Sequence, residues 1–403
     1  MTTGDPSADL HDPASLTAAD TGSLLPAAAL AGAQVRSAAE QLAGLATLDR
    51  PRAFVVVGAG ATVDAALLIA LIGEQAQAPV IGAAGLPAWV GPLDVVVVFA
   101  AGIDDMIASR AAAVAARRGA AVFVRSSAEG PVADAAGGNL LEPRVSLTES
   151  LAGPARLTLL TSVAVAAGLF PRPDFDGVAE LLDAMALACH PSSEFFVNPA
   201  LPLAEHLTAG TPLLIGTDPV ADALAGYAGR SLGALAGIAA SVLTAGEAAA
   251  SPAVLARTGA PDTAAGVFYD PFEDEGDEPG QRISAVLLSG PSTKATAETS
   301  RFSAALDAAV PRAFRIGRDE LPEPGPGAPA PTGPEQAEVE GFASTVLLMS
   351  RLDFTAVYAG LATRARPPAD LPDGLGRPGR NAQHVSAAVA PSPWTESEPG
   401  SWS

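Results

Sequence analysis

Residues 53–64, Ala-Phe-Val-Val-Val-Gly-Ala-Gly-Ala-Thr-Val-Asp, and the Ala/Leu/Ile run that follows to Gly73 constrain this chain most. Ala53, Phe54, Val55, Val56 and Val57 read as a buried strand, Gly58 and Gly60 as a tight turn, and the run after them as a helix. Strand, glycine turn and helix in that order bring backbone N–H groups to an anion at the carboxyl edge of a parallel sheet. Three readings follow: a sugar phosphate or other small anion, a nicotinamide or flavin nucleotide, or a structural turn. The nucleotide reading fails mainly on the third glycine of the dinucleotide fingerprint, where this chain has Val63 and Asp64. Glu74 and Asp94 do not stand at the spacing of a ribose ligand either.

The pattern recurs along the chain. Residues 24–48 suggest one amphipathic helix ended by Asp49-Arg50-Pro51. Further strands read at 79–82, 94–99 and 121–124, with Asp104-Asp105 capping the helix that runs to Arg118. Pro171-Arg172-Pro173 marks a break, and a second round opens at 212–218 with another strand and glycine turn. Strands follow at 283–288 and 314–316, and a closing helix at 341–362. The expected fold class is α/β: two domains, each a mostly parallel sheet flanked by helices. The divisions are a disordered leader 1–23, domain one 24–170, a crossover helix 171–197, domain two 198–366 with its C-terminal helix, and a disordered tail 367–403. The acidic loop 270–279 lacks the alternation of a calcium loop, and 321–334 reads as a Pro/Gly surface loop.

Apolar residues make up 49% of the chain and aromatics only 5%, so the core must be built from Ala, Val and Leu. Lys and Arg number 23 against 44 for Asp and Glu, a formal charge of -21 that argues against nucleic acid and acidic membranes as partners. The single Cys189 excludes an intramolecular disulfide and a cysteine-rich metal site. No signal peptide or convincing membrane span is legible, so the expectation is a cytoplasmic protein with no cofactor and no metal.

The order of elements resembles the SIS (sugar isomerase) fold, and within it the bifunctional phosphoglucose/phosphomannose isomerase-like group. The stretches VVVGAGATVDA at 55–65, LDVVVVFAAGIDD at 93–105, RRGAAVFVRSSAEGPVAD at 117–134, NPALPLAEHLTAGTPLLIG at 198–216 and VLLMSRLDFTAVYAGLATRARPP at 346–368 carry the likeness. The resemblance implies aldose–ketose isomerisation of a hexose 6-phosphate through an enediol, with a general base and hydroxyls around the phosphate. It also implies a homodimer.

The motifs depart from that pattern in two places. Where the family has Ser and Thr hydroxyls in its phosphate loop, this chain has Ala100-Ala101-Gly102-Ile103-Asp104-Asp105. That leaves Gly58, Gly60 and Gly102 as backbone donors, and Thr62, Ser126 and Ser127 as hydroxyls able to meet a ligand. Arg230 matches the family's substrate-side arginine, and Glu247 stands nearest the catalytic glutamate, although the motif's His and second Glu are absent. His206 is the candidate acid/base histidine, and Asp64 reads as a capping or solvent residue.

Two functions therefore stay open. One is an isomerase of glucose, mannose or fructose 6-phosphate. The other is a non-catalytic sugar-phosphate sensor or scaffold for a sugar-metabolism enzyme. Whether Arg230 and Glu247 share one cleft with Thr62 and Ser126 discriminates between them.

Overall fold

The structure, a computed structural model, describes residues 7–73, 76–145, 148–258, 282–290, 305–306, 308–317 and 334–363. The acidic loop 270–279, residues 321–333 of the Pro/Gly loop, the tail 367–403 and His384 lie outside them.

The first half builds a five-stranded parallel sheet from β1 (Ala53–Gly58), β2 (Val80–Ala83), β3 (Asp94–Phe99), β4 (Ala121–Arg125) and β5 (Leu140–Leu141), in the order β2-β1-β3-β4-β5. The second builds a four-stranded parallel sheet from β6 (Thr211–Gly216), β7 (Ser241–Thr244), β8 (Ile283–Leu288) and β9 (Phe314–Ile316), in the order β7-β6-β8-β9. Both are covered on two faces, which is why β1 and residues 95–99 of β3 are apolar without interruption. Alternation still sorts the side chains: Phe54 and Val56 enter the central core, while Val55 and Val57 pack on the opposite face.

That opposite face of the first sheet is covered by α5 (Met106–Arg117), whose buried Ala108, Ala111, Ala112 and Ala115 allow close approach. Between the two sheets lies a shared helical layer made of α3 (Ala31–Gln41), α4 (Ala61–Ile72), α7 (Gly153–Ala166), α8 (Phe175–Ala188), α9 (Leu201–Thr208) and α10 (Pro219–Ser231). The closing helix α13 (Pro334–Thr363) runs through this layer. Its segment Val339–Thr363 is long and apolar enough to cross a membrane, but 89% of its most apolar window is buried inside the fold.

Two expectations change at the N-terminus. The residues 24–48 form not one helix but α2 (Leu24–Ala28) and α3, and the Leu48 N–H leaves the helical pattern to donate to the Ala166 carbonyl. Of the leader read as disordered, residues 7–23 are folded: α1 (Pro13–Ala19) is capped by Asp12, buries Leu16, and follows an Ala8 N–H that donates to the Leu361 carbonyl. Its apolar anchors are too few to register as a pattern, and α13 gives them a surface.

Candidate functional site

In a parallel sheet of order 2-1-3-4-5, connections leave β1 and β3 toward opposite faces, and a crevice opens between their carboxyl ends. The turn after β1 lies there. Gly58 has φ 129° and a Cβ on it would overlap the Phe99 carbonyl oxygen, so no side chain fits. Gly60 has φ 78°, opens α4, and lies against the Arg230 guanidinium.

Two arginines from distant elements converge on this turn. Arg156, in the first turn of α7, donates from Nη2 to the Ala59 carbonyl at 2.8 Å and from Nε to Asp64 Oδ2 at 2.9 Å, with a second bond from Nη2 to the same carboxylate. Its guanidinium stacks 4.2 Å from the Phe99 ring. Arg230, in the last turn of α10, reaches the Gly60 carbonyl and Asp64 Oδ1, both at 3.4 Å. Arg125, at the end of β4, donates to Glu149 Oε1 at 2.5 Å, and Glu149 lies 3.7 Å from Arg156. Three guanidiniums thus meet two carboxylates, a formal surplus of one positive charge on a protein of net charge -21.

The carbonyl side of the turn is tied to these arginines. Its amide side is uncapped: α4 has no side-chain cap, and the N–H groups of buried Ala61 and of Thr62 make no hydrogen bond among the described residues. Thr62 itself is exposed beside them. The neighbouring helix α5 is different. Asp105 accepts from the N–H groups of Ala101, Ile107 and Ala108, at 3.0, 3.0 and 2.9 Å, so the chain's own carboxylate fills the niche where a phosphate loop would hold its anion. At the second sheet Asp218 plays the same part, accepting from Val220, Ala221 and Gly290. Asp105→Ala is expected to destabilise the protein by about 1 kcal/mol, as N-cap losses do, measured by urea denaturation.

The other predicted residues divide. Gly102 and Ser127 are exposed in the loops after β3 and β4. Ser126 is buried, and its hydroxyl has no partner among the described residues. Glu247 belongs to the far end of the second sheet. It closes a capping box on Thr244 at the start of α11 (Ala245–Ala249), accepting from the Thr244 N–H at 2.8 Å and its hydroxyl at 3.0 Å. The backbone bond from Thr244 holds the Glu247 carboxyl below its ordinary range, the wrong direction for a base near neutrality. Its charge instead helps burial and Asp218 push Asp222 up to about 6. Asp222 opens α10 and Arg230 ends it, eight residues later, or about 12 Å along the axis. Arg230 and Glu247 therefore face opposite ends of that helix. His206 donates from Nε2 to the Ala285 carbonyl at 2.9 Å on the second sheet, and burial lowers its pKa.

Beneath Arg230, Asp353 of α13 accepts the Tyr227 hydroxyl on both oxygens at 2.8 Å and Ser231 Oγ at 3.1 Å. Burial pushes Asp353 up to about 7, against the opposing effects of those hydroxyls and Arg230. The folded state therefore holds this proton more tightly than the unfolded chain, and the contribution of Asp353 to stability falls as pH rises from about 4 to about 7. Asp353→Asn is expected to flatten that part of the melting-temperature profile, a difference read directly against wild type.

Asp64, Arg156, Arg125 and Glu149 were not legible as site residues. Asp64 is 2% exposed, not a solvent residue. The one available signal was a charge set in apolar helices, as in Pro154-Ala155-Arg156-Leu157-Thr158-Leu159.

No family model matches the chain, and no curated protein does. Solved structures do. A hypothetical protein from Thermus thermophilus aligns with a TM-score of 0.56 at 13% identity, over 87% of this chain and 88% of that one. The C-terminal domain of glucosamine-fructose-6-phosphate aminotransferase from Francisella tularensis gives 0.53 at 10% identity, over 82% and 94%. A candidate phosphosugar isomerase from Bacillus subtilis gives 0.52 at 14% identity, over 83% and 95%. At these identities the likeness is one of fold: the double α/β architecture of the SIS type over most of the chain.

Proposed function

We propose that this chain binds a small sugar phosphate at the carboxyl edge of its first sheet and does not isomerise it through Glu247. The observation that carries the reading is the contrast between helix starts. Asp105 and Asp218 close theirs, while at α4 the Ala61 and Thr62 amides make no hydrogen bond among the described residues, the Thr62 side chain is exposed, and Arg230 stands close by on the carbonyl side of the same turn. A phosphate accepts from all three kinds of donor: amide, hydroxyl and guanidinium. The fold neighbours support the ligand class, since two of those reported carry phosphosugar names.

The isomerase of hexose 6-phosphates, of the phosphoglucose/phosphomannose type, is the second reading. Glu149 favours it: a carboxylate with a side chain 38% exposed, held by Arg125 at the same edge as Arg156. NMR of the full chain with fructose 6-phosphate separates the two. Binding without conversion to glucose or mannose 6-phosphate is the expected outcome. Conversion that survives Glu247→Gln and disappears in Glu149→Gln establishes the second reading with Glu149 as its base, and conversion lost in Glu247→Gln establishes an isomerase that works through Glu247 and contradicts the first.

A cytoplasmic homodimer belongs to the same proposal. Met106 and Ile107, 68% and 62% exposed at the start of α5, border this edge and offer apolar surface to a second copy. Sedimentation equilibrium is expected to give twice the 40.1 kDa chain mass.

A further inference from the structure

We infer that Asp353 is a positioning residue behind Arg230 that sets the strength of the anion site, which rests on the sugar-phosphate reading of the turn after β1. Neutral, it leaves the guanidinium charge to the phosphate; ionised, it takes part of that charge for itself.

One side chain joins the two groups. The Tyr227 hydroxyl lies 2.8 Å from both Asp353 oxygens, and the Arg230 guanidinium stands 5.2 Å from the centre of the same ring. Ser231, the residue after Arg230, adds a bond from Oγ to Asp353 Oδ1 at 3.1 Å. The hydroxyl also fills the space beside Gly153, where a Cβ would overlap it, three residues before Arg156. Asp353, Tyr227 and Ser231 are 3%, 0% and 2% exposed, so bulk water does not screen the carboxyl.

Counting hydrogens favours a proton on this cluster. Burial and the neighbouring Asp353 push the Tyr227 hydroxyl well above its ordinary pKa, so it stays a donor. With Asp353 ionised, one hydrogen serves two oxygens at 2.8 Å. With Asp353 protonated on Oδ2, that oxygen donates to Tyr227, while Tyr227 and Ser231 both donate to Oδ1. Every short contact is then a hydrogen bond.

The charge that favours ionisation of Asp353 is Arg230. A phosphate on Arg230 opposes it, and by reciprocity ionised Asp353 weakens the phosphate. The other elements packed on α13 commit their charged groups elsewhere. Asp64 of α4 pairs with Arg156 of α7, Asp183 of α8 with Arg36 and Glu205 of α9 with His11, while His206 donates to the Ala285 carbonyl. Asp176 and Glu180 of α8 are exposed, Asp222 lies at the far end of α10, and α1, α2 and residues 232–236 carry no charge. On α13 itself Arg351 donates to the Pro199 carbonyl and Tyr358 to that of Cys189.

Calorimetric titration of the full chain with fructose 6-phosphate, wild type against Asp353→Asn, tests this at about pH 6 and about pH 8. The ligand's own second ionisation, at about 6, acts on both proteins alike and cancels in their ratio. Affinities are expected to agree within about twofold at the lower pH, with Asp353→Asn about three- to tenfold tighter at the higher. Tyr227→Phe keeps the ring but removes a donor from the carboxylate, so the fall in affinity is expected to move to higher pH than in wild type. A ratio of Asp353→Asn to wild type that is the same at both pH values, or a fall unmoved by Tyr227→Phe, overturns the inference and leaves the sugar-phosphate site standing. No binding by wild type at either pH overturns both.

Discussion

Asp64→Ala is expected to destabilise the protein by about 3–5 kcal/mol, the usual consequence of leaving a buried cation without its partner. Asp64 and Arg156 are 2% and 5% exposed, so water cannot replace the lost carboxylate, and Arg230 loses the same partner. The effect is one of pairing rather than net attraction. Removing both charges together, as Asp64→Leu with Arg156→Met, should recover much of the loss, giving a coupling of about 1–3 kcal/mol in urea denaturation. An Asp64→Ala loss below about 1 kcal/mol would show that solvent reaches the pair and that the turn after β1 is not held by it.

Arg230→Ala is expected to weaken hexose 6-phosphate binding by about 10- to 100-fold, the range for one charge-assisted contact to phosphate. Stability should change less than in Asp64→Ala, because Arg156 keeps its carboxylate while Arg230 contributes only long bonds of 3.4–3.5 Å. Isothermal titration calorimetry against fructose 6-phosphate reads the difference. Unchanged affinity would remove Arg230 from the site and leave it as a strut between α10 and α4.

The two α/β domains were readable because uninterrupted Val runs followed by glycine turns have few other uses in a chain of this kind. Seven of the nine described strands of the two sheets were read, but β5 (Leu140–Leu141) and β7 (Ser241–Thr244) were not, because both are short edge strands with no Val run. The Asp105 cap was legible because its partners lie within four residues. The arginine network was not. Arg156 meets Asp64 across 92 residues and Arg230 meets it across 166, so nothing local marks Asp64 as anything but a helix-start acid. Glu247 illustrates the converse. Its position in the chain suggested a base, but Thr244 three residues earlier forms a capping box with it, and the direction of α10 carries Arg230 away from it.

Backbone amide chemical shifts during titration with fructose 6-phosphate test whether an anion sits on the uncapped amides at the start of α4. The largest changes are expected at Ala61 and Thr62, reduced in Arg230→Ala. Largest changes at Ile107 and Ala108, or at Val220 and Ala221, would place the anion on a niche that Asp105 or Asp218 fills and would contradict it.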